Sequence, residues 1–398
     1  MPAGSSAEVF LAFLRLGCTS FGGPIAHLGY FERELVERRR WCSRSTLAEI
    51  VALAQSLPGP ASTQTGFALG ILRAGWLGGL AAWVGFSLPS ALLMLAFAYG
   101  HALIGGPAGD RLLHGLQIVA IAVVAQAVVS MQRSIAPDRV RVALAVLAAA
   151  VILFAPVRLS TLLAICGGAV AGLLLFRKCE HARTEPISLP LSRTAGAVAA
   201  VLFCVPLLLL PLLARHFPSP ELAVSSAFYR SGALVFGGGH VVLPLLEDAV
   251  VAPGWVGQQT FLAGYGAAQA MPGPLFSIAA YLGAAMGLNG QSATPILLGL
   301  LASISLFAPG LLAMTAVLPF WSGLRNNRLV AAALRGINAS VAGVLIAALY
   351  RPLWTVTVRT ALDFWLALSV FTLLSLWKVQ PWIVVLCVAG ISILWHPS

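Results

Sequence analysis

One helix-breaking pattern is written twice in this chain. Residues 13–60 read FLRLGCTSFGGP…FERE…RRRW…AQSLPGP, and residues 228–274 read FYRSGALVFGGG…LLED…PGW…AQAMPGP. In register, Arg15 pairs with Arg230, Gly17 with Gly232, and Phe21, Gly22 and Gly23 with Phe236, Gly237 and Gly238. Glu32 pairs with Glu247, Trp41 with Trp255, Gln55 with Gln269, and Pro58, Gly59 and Pro60 with Pro272, Gly273 and Pro274. The likeness runs on through Pro89 and Pro309, Gly115 and Gly336, and Cys166 and Cys387. The chain therefore divides into a first repeat (1–180), a linker with one apolar segment of its own (181–221) and a second repeat (222–398). Paired breaks in two apolar halves are the sequence mark of a transporter's binding site.

Composition fixes the solvent. Hydrophobic residues make up 59% and charged residues 9% of the chain, where soluble domains carry about a quarter charged. Apolar runs of about 17–25 residues recur, enough to cross a hydrocarbon core of ~30 Å. The period-two alternation of a membrane β-barrel is absent. The fold class is thus an all-α polytopic membrane protein, and the lipid bilayer is its first partner. The net charge of +11 lies mostly in short loops, where it signals topology and not nucleic acid. No cleavable signal precedes the first apolar run. The six cysteines are scattered without metal spacing, so no metal is expected.

Charge also orients the repeats. The loop after the first break holds Arg33, Arg38, Arg39, Arg40 and Arg44, whereas its counterpart, 245–259, holds Glu247 and Asp248 and no Lys or Arg. The positive-inside rule puts the first loop in the cytoplasm and the second outside. Equivalent loops on opposite faces mean inverted repeats, with the linker helix turning the second copy over. The topology that best fits the charges has about nine full spans plus four broken segments, near 9–30 and 46–72 and at their second-copy equivalents. The N-terminus is then cytoplasmic, as are Arg177, Lys178 and Arg183. Arg158, Arg215, Arg351 and Arg359 stand as exceptions to the rule.

The breaks carry the candidate chemistry. Proline removes a backbone donor, and glycine reaches conformations other residues avoid. Broken backbone inside a bilayer survives only where protein or a water-filled cavity satisfies it. A helix restarting there presents free N–H groups to an anion. Phe21, Gly22, Gly23, Pro24, Pro58, Gly59 and Pro60, with Phe236, Gly237, Gly238, Pro272, Gly273 and Pro274, are therefore expected to line the site. The alternative is a pair of hairpins that serve packing alone. Arg15 and Arg230 lie six residues before each FGG, where insertion of an arginine costs at least ~2.5 kcal/mol. Guanidinium suits a tetrahedral oxyanion; snorkelling to the interface is the competing explanation. Gln55, Gln269, Thr63 and Ser277 flank the PGP motifs as uncharged donors, against the alternative of interhelical hydrogen bonds. Asn338 and Gln117 are weaker candidates on matched later helices. Glu32, Glu247 and His240 are candidate proton carriers, with Asp248, Glu49 and His27 nearby; a salt-bridged loop residue is the competing reading for Glu32. No nucleotide, metal-protease or nucleophile-elbow motif is present, so no enzyme and no cofactor are expected.

FGGP followed by FxREL…RRRW and PGP resembles the chromate ion transporter family, and the two copies resemble its long, two-repeat form. The resemblance implies efflux of chromate from the bacterial cytoplasm across the inner membrane, driven by the proton gradient or the membrane potential. Chromate resistance would follow, with sulfate as a competing look-alike. The second copy departs from the motif with Gly239 where the first has Pro24. Two arginines and inward helix N-termini near the midplane would then clamp the dianion, and rocking of the repeats would alternate access. A sulfate or other oxyanion permease and a passive anion channel are the rival readings; a chromate reductase lacks any redox motif. A homo-oligomer stays open.

Overall fold

The computed structural model describes residues 4–103, 106–155, 160–177, 191–288, 290, 294–325 and 327–394. Arg158, Lys178 and Arg183, assigned above by charge, lie outside these residues. The first repeat comprises α1 (Ser6–Thr19), α2 (Gly23–Phe31), α3 (Arg44–Ser56), α4 (Ala61–Leu103), α5 (Gly106–Ser134), α6 (Arg139–Phe154) and α7 (Ser160–Leu175). The linker helix is α8 (Arg193–His216). The second repeat comprises α9 (Pro220–Leu234), α10 (Val242–Val250), α11 (Gln258–Ala268), α12 (Ile278–Leu288), α13 (Pro295–Val317), α14 (Arg328–Ala348), α15 (Ala361–Ser375) and α16 (Pro381–Leu394). Short turns complete it, and no strand occurs among the described residues.

Local chemistry sets the boundaries. Ser5, Ser43, Ser192 and Ser219 each accept a backbone N–H at a helix start, as capping residues do. α1 ends where Gly22 and Gly23 take φ of 98° and 78°, a left-handed region that glycine reaches without a Cβ penalty. α4 is two helices, because Ala74 and Gly75 leave helical geometry. Its halves fold back on each other with the Gly70 and Gly78 backbones in contact.

That bend turns both broken segments into hairpins. The Gly4 N–H donates to the Arg73 carbonyl at 3.1 Å, Arg73 pairs with Glu8 at 3.1 Å, and its guanidinium lies 5.4 Å from the Trp41 ring. Phe13 meets Phe31 at 5.5 Å. The start of α1, the basic loop and the bend of α4 therefore share one end, and FGGP and PGP are the tips at the other. At ~1.5 Å per residue, the 14 residues of α1 reach about 21 Å, short of a full ~30 Å crossing. In the second repeat Ser231 donates to the Leu245 carbonyl at 3.2 Å across α9–α10, and Tyr281 to the Thr260 carbonyl at 3.1 Å across α11–α12.

Antiparallel packing of equivalent helices shows the inversion. Trp83 faces Phe307 at 6.0 Å, while Leu95, further along α4, meets Gly299, earlier in α13. The repeats also interlock. α14 packs on α6 and α7 of the other copy, with Gly343 against Ala145 and Gly336 against Gly168 and Gly172. α5 packs reciprocally on α15 and α16, with Gly115 against Val388 and His114 2.7 Å from Asp363. Lipid tails remove the hydrophobic drive between helices, so close backbone approach at small residues does this work.

Among the described residues five helical stretches are long and apolar enough to span, within 61–100, 109–133, 193–216, 295–320 and 328–357. The other four expected spans form the hairpins α6–α7 and α15–α16, with helices of 16, 16, 15 and 14 residues. Only 6% of the apolar window of α8 is buried, which leaves its flank to lipid. Pro206 removes the N–H that would bond the Leu202 carbonyl. Tyr229 supplies a hydroxyl instead, donating to the Leu202 and Phe203 carbonyls at 3.1 and 3.0 Å.

Candidate functional site

The four tips meet. The Gly59 N–H donates to the Val235 carbonyl at 2.7 Å, and the Gly273 N–H donates to the Ser20 carbonyl at 2.8 Å. Ser20 and Val235 are repeat equivalents, as are Gly59 and Gly273, so one hydrogen bond is made twice about a pseudo-twofold axis. Each bond joins the PGP of one repeat to the residue before FGG in the other. Gly239 also lies against Pro24, which brings the two FGG tips together. Each tip places the carbonyl end of one helix beside the N–H end of the next. The reciprocal bonds occupy the Ser20 and Val235 carbonyls, and the starts of α2 and of the turns before α10 and α12 carry no side-chain cap. Their first N–H groups have no intrahelical acceptor, which gives the junction anion-binding character.

Each PGP is seated on the helix after its counterpart's hairpins. Gly59, at φ 122°, packs on Gly310, and Gly273, at φ 93°, packs on the Phe86 carbonyl and Ser90. Gly310 and Ser90 follow the matched Pro309 and Pro89. Gln64 Nε2 donates to the Pro58 and Gly310 carbonyls, both at 2.8 Å, and Ser277 meets Ser90 Oγ at 2.6 Å.

Several polar atoms around this junction are buried with no protein partner among the described residues: Ser20 Oγ, Thr63 Oγ1, Gln64 Oε1 and Asn338 Oδ1. An unpaired buried polar group costs ~1–3 kcal/mol. A cluster of them with both donor and acceptor character marks a place completed by water or ligand. Thr63 and Asn338 are legible in the sequence. Ser20 and Gln64 are not, because nothing local distinguishes a serine or glutamine that packs from one that faces a junction. Pairing of the repeats with the offset that matches Gly59 to Gly273 places Gln64 opposite Ile278, so the repeat itself gives no signal there.

The remaining candidates have other surroundings. Gln55 is exposed at the end of α3. Phe21 stacks on Trp382 at 5.5 Å, and Phe236 packs against the large core. His27 Nδ1 lies 3.3 Å from Ser62 Oγ, and His240 Nδ1 lies 2.7 Å from the Tyr265 hydroxyl. Gln117 donates to the Gln259 carbonyl at 3.2 Å, an inter-repeat packing bond. Glu32 pairs with Arg44 at 2.9 Å, in the basic loop. Glu247 accepts from Gln258 at 3.0 Å.

Arg15 and Arg230 occupy exposed positions on α1 and α9, and neither enters an ion pair within 4 Å among the described residues. Each stands five residues before its break, about 7.5 Å along the helix. Because the repeats are inverted, the two arginines lie on opposite sides of the junction. Arg230 lines a cavity of about 630 Å³ with Arg215 and Asp248. Asp248 also borders a second cavity of about 490 Å³, which holds Glu247, Gln258 and Arg351. No group of three or more His, Cys, Asp or Glu suited to a metal occurs among the described residues.

Comparison with known proteins follows the same outline. The family model described as "Chromate transporter" matches residues 7–173 and 222–393, once per repeat. A "Chromate transport protein" of Pseudomonas aeruginosa is 30% identical over 401 aligned residues, covering 98% of this chain and 92% of that protein. A "Probable chromate transport protein" of Synechococcus elongatus is 28% identical, over 87% and 84% of the two chains. One from Cupriavidus metallidurans is 25% identical, over 87% and 82%. No solved structure matches. With both inverted repeats matched by one family model over most of its length, this membrane protein belongs to the chromate transporter family.

Proposed function

We propose that this chain is a secondary transporter that exports chromate from the cytoplasm across the bacterial inner membrane and so confers resistance to it. The observation that carries this reading is the junction itself: four helix breaks joined by reciprocal hydrogen bonds, uncapped N–H ends, unpaired buried polar atoms, and an arginine on either side. Such a junction can exchange hydration for protein donors around a small tetrahedral dianion, and arginine at each mouth raises the local anion concentration. Family membership, and relatives named for chromate transport, support the choice of anion.

The energy source fits the charge of the cargo. A dianion leaving a cell held at −100 mV gains about 4.6 kcal/mol, at ~2.3 kcal/mol per charge. That sustains a gradient of roughly three orders of magnitude without ATP. A proton gradient would act through carboxyls such as Glu247, or through His240. The lipid-facing α8 and the basic loop orient the N-terminus to the cytoplasm under the positive-inside rule.

The test is uptake of radiolabelled chromate into everted membrane vesicles carrying the protein, with sulfate as competitor and an uncoupler as control. Accumulation that the uncoupler abolishes and sulfate blocks is the expected result. Equilibration indifferent to the uncoupler would replace the exporter with a channel, and accumulation of sulfate but not chromate would replace it with a sulfate permease.

A further inference from the structure

The mouths on the two sides of the junction are not equivalent, although the repeats that form them are. The offset that pairs Arg15 with Arg230 and Glu32 with Glu247 also pairs Arg33 with Asp248. On the outer side the Asp248 carboxylate borders the cavity into which Arg230 projects, and Arg230 acts electrostatically upon it. On the inner side the equivalent residue is a cation, within a loop that also holds Arg38, Arg39, Arg40 and Arg44. Arg38 and Arg39 both bind Glu34, and Arg44 binds Glu32 and Glu37; Arg33 and Arg40 enter no such pair among the described residues.

Resting on the export reading above, we propose that Asp248 is a built-in competitor for Arg230, and that the cavity they share is the outer release site of the oxyanion. The Asp248 carboxylate shares the cavity lining with Arg230 and offsets part of its positive field without pairing to it within 4 Å. An anion arriving from the junction meets that negative charge beside Arg230, so it is bound weakly and leaves. The inner mouth has Arg33 in place of the competitor, and its loop holds five arginines against Glu32, Glu34 and Glu37, so an anion there meets a net positive potential. This asymmetry does not fix how far the substrate accumulates, which the driving gradient sets. It sets the affinity on each face, weak outside and strong inside.

The same arrangement links the outer affinity to protons. Neutralising Asp248 frees Arg230, so anion and proton bind together on this face. Among the described residues, the charged groups around Asp248 are Arg230 on α9, Arg215 at the end of α8, Glu247 beside it on α10, and Arg351 in the turn after α14. α7 contributes only the hydroxyls Ser160 and Thr161, and α11 only the neutral Gln258. Among the described residues neither lining contains a histidine, and Glu247 is the other carboxyl whose titration could contribute. Glu247→Gln separates its effect from that of Asp248.

The experiment is exchange of labelled chromate in vesicles of both orientations, with half-saturation measured separately from each face. Asp248→Asn is expected to lower half-saturation from the outer face about tenfold and to leave the cytoplasmic face unchanged. In the unaltered protein outer affinity should rise as external pH falls toward the carboxylate range. In Asp248→Asn that rise should be lost, while Asp248→Glu and Glu247→Gln should retain it. Comparison with the variant at each pH cancels the titration of chromate itself. Unchanged outer half-saturation and pH dependence in Asp248→Asn would overturn the proposal. Arg33→Asp provides an arm independent of that variant's folding: a tenfold weaker cytoplasmic half-saturation supports the mirror argument, and no change refutes it. Unaltered protein that exchanges no chromate would instead remove the export reading.

Discussion

Replacing Gly59 by alanine tests whether the junction of the four tips holds the two repeats together. Gly59 sits at φ 122°, where an L-residue is strongly disfavoured. A Cβ there would lie 2.7 Å from Gly310 Cα and 3.0 Å from Gln64 Nε2. Backbone strain of this kind costs ~1–3 kcal/mol, and overpacking against backbone adds ~1–3 kcal/mol. If the strain is relieved by movement of the tip, the bond from the Gly59 N–H to the Val235 carbonyl is lost, a further ~1 kcal/mol. The expected cost is therefore about 2–6 kcal/mol, a large fraction of typical stability. Gly254→Ala is the control, because Gly254 has φ 79° and open space where a methyl group would sit. It should cost about 1–2 kcal/mol, the ordinary penalty of a left-handed residue. Thermal unfolding of both variants in detergent, alongside vesicle uptake, reads the difference. A Gly59→Ala protein as stable and as active as Gly254→Ala would refute the claim that the reciprocal tip contacts organise the site.

Three further outcomes follow from other parts of the molecule. Arg15→Gln and Arg230→Gln should each lower chromate uptake at least tenfold, since each removes the cation of one mouth; full uptake in both variants would dismiss the arginines as substrate contacts. Tyr229→Phe should cost about 1 kcal/mol, because the Leu202 and Phe203 carbonyls lose their hydroxyl donor. Protease protection of the linker helix measures it, and an unchanged rate of cleavage counts against the docking role. Burial raises the Glu34 carboxyl, but hydrogen bonds from Arg39 and Arg38 outweigh it and leave it below its usual range. A depressed folded pKa gives stability that is fully present above the unfolded value of ~4.3 and is lost as pH falls through the folded one. Proteolysis of the basic loop should accelerate on that acid side in the native protein, and Glu34→Gln should show the faster cleavage already at neutral pH; equal rates at neutral pH would dissolve the link.

Much of the architecture is decided by local chemistry. Hydropathy requires a membrane, since so few charges cannot solvate a chain of this length. Glycine and proline at matched places dictate where helices stop, and Gly22, Gly59, Gly237 and Gly273 all take the positive φ their motifs call for. The charge difference between the loops after each FGG indicates inversion, because arginine is held on the cytoplasmic face by the insertion machinery and the membrane potential. The hairpins follow from segments too short to cross.

Partnership between the hairpins is a tertiary decision. No periodicity says that Gly59 donates to Val235 across the repeats, or that α5 is held by the other copy's α15 and α16. Small residues such as Gly115 and Gly336 permit close approach to any neighbour of suitable shape, so the choice is made by packing summed over the whole molecule. The placement of the arginines is of the same kind. Sequence puts Arg15 and Arg230 at equal distances from matched breaks, and a parallel arrangement would have joined them at one anion. Inversion sets them on opposite sides of the junction, where their surroundings differ: Arg230 shares a cavity lining with Asp248, and the repeat equivalent of that aspartate is Arg33. A motif fixes what each backbone segment must do, whereas the charges around it are contributed by elements distant in the chain.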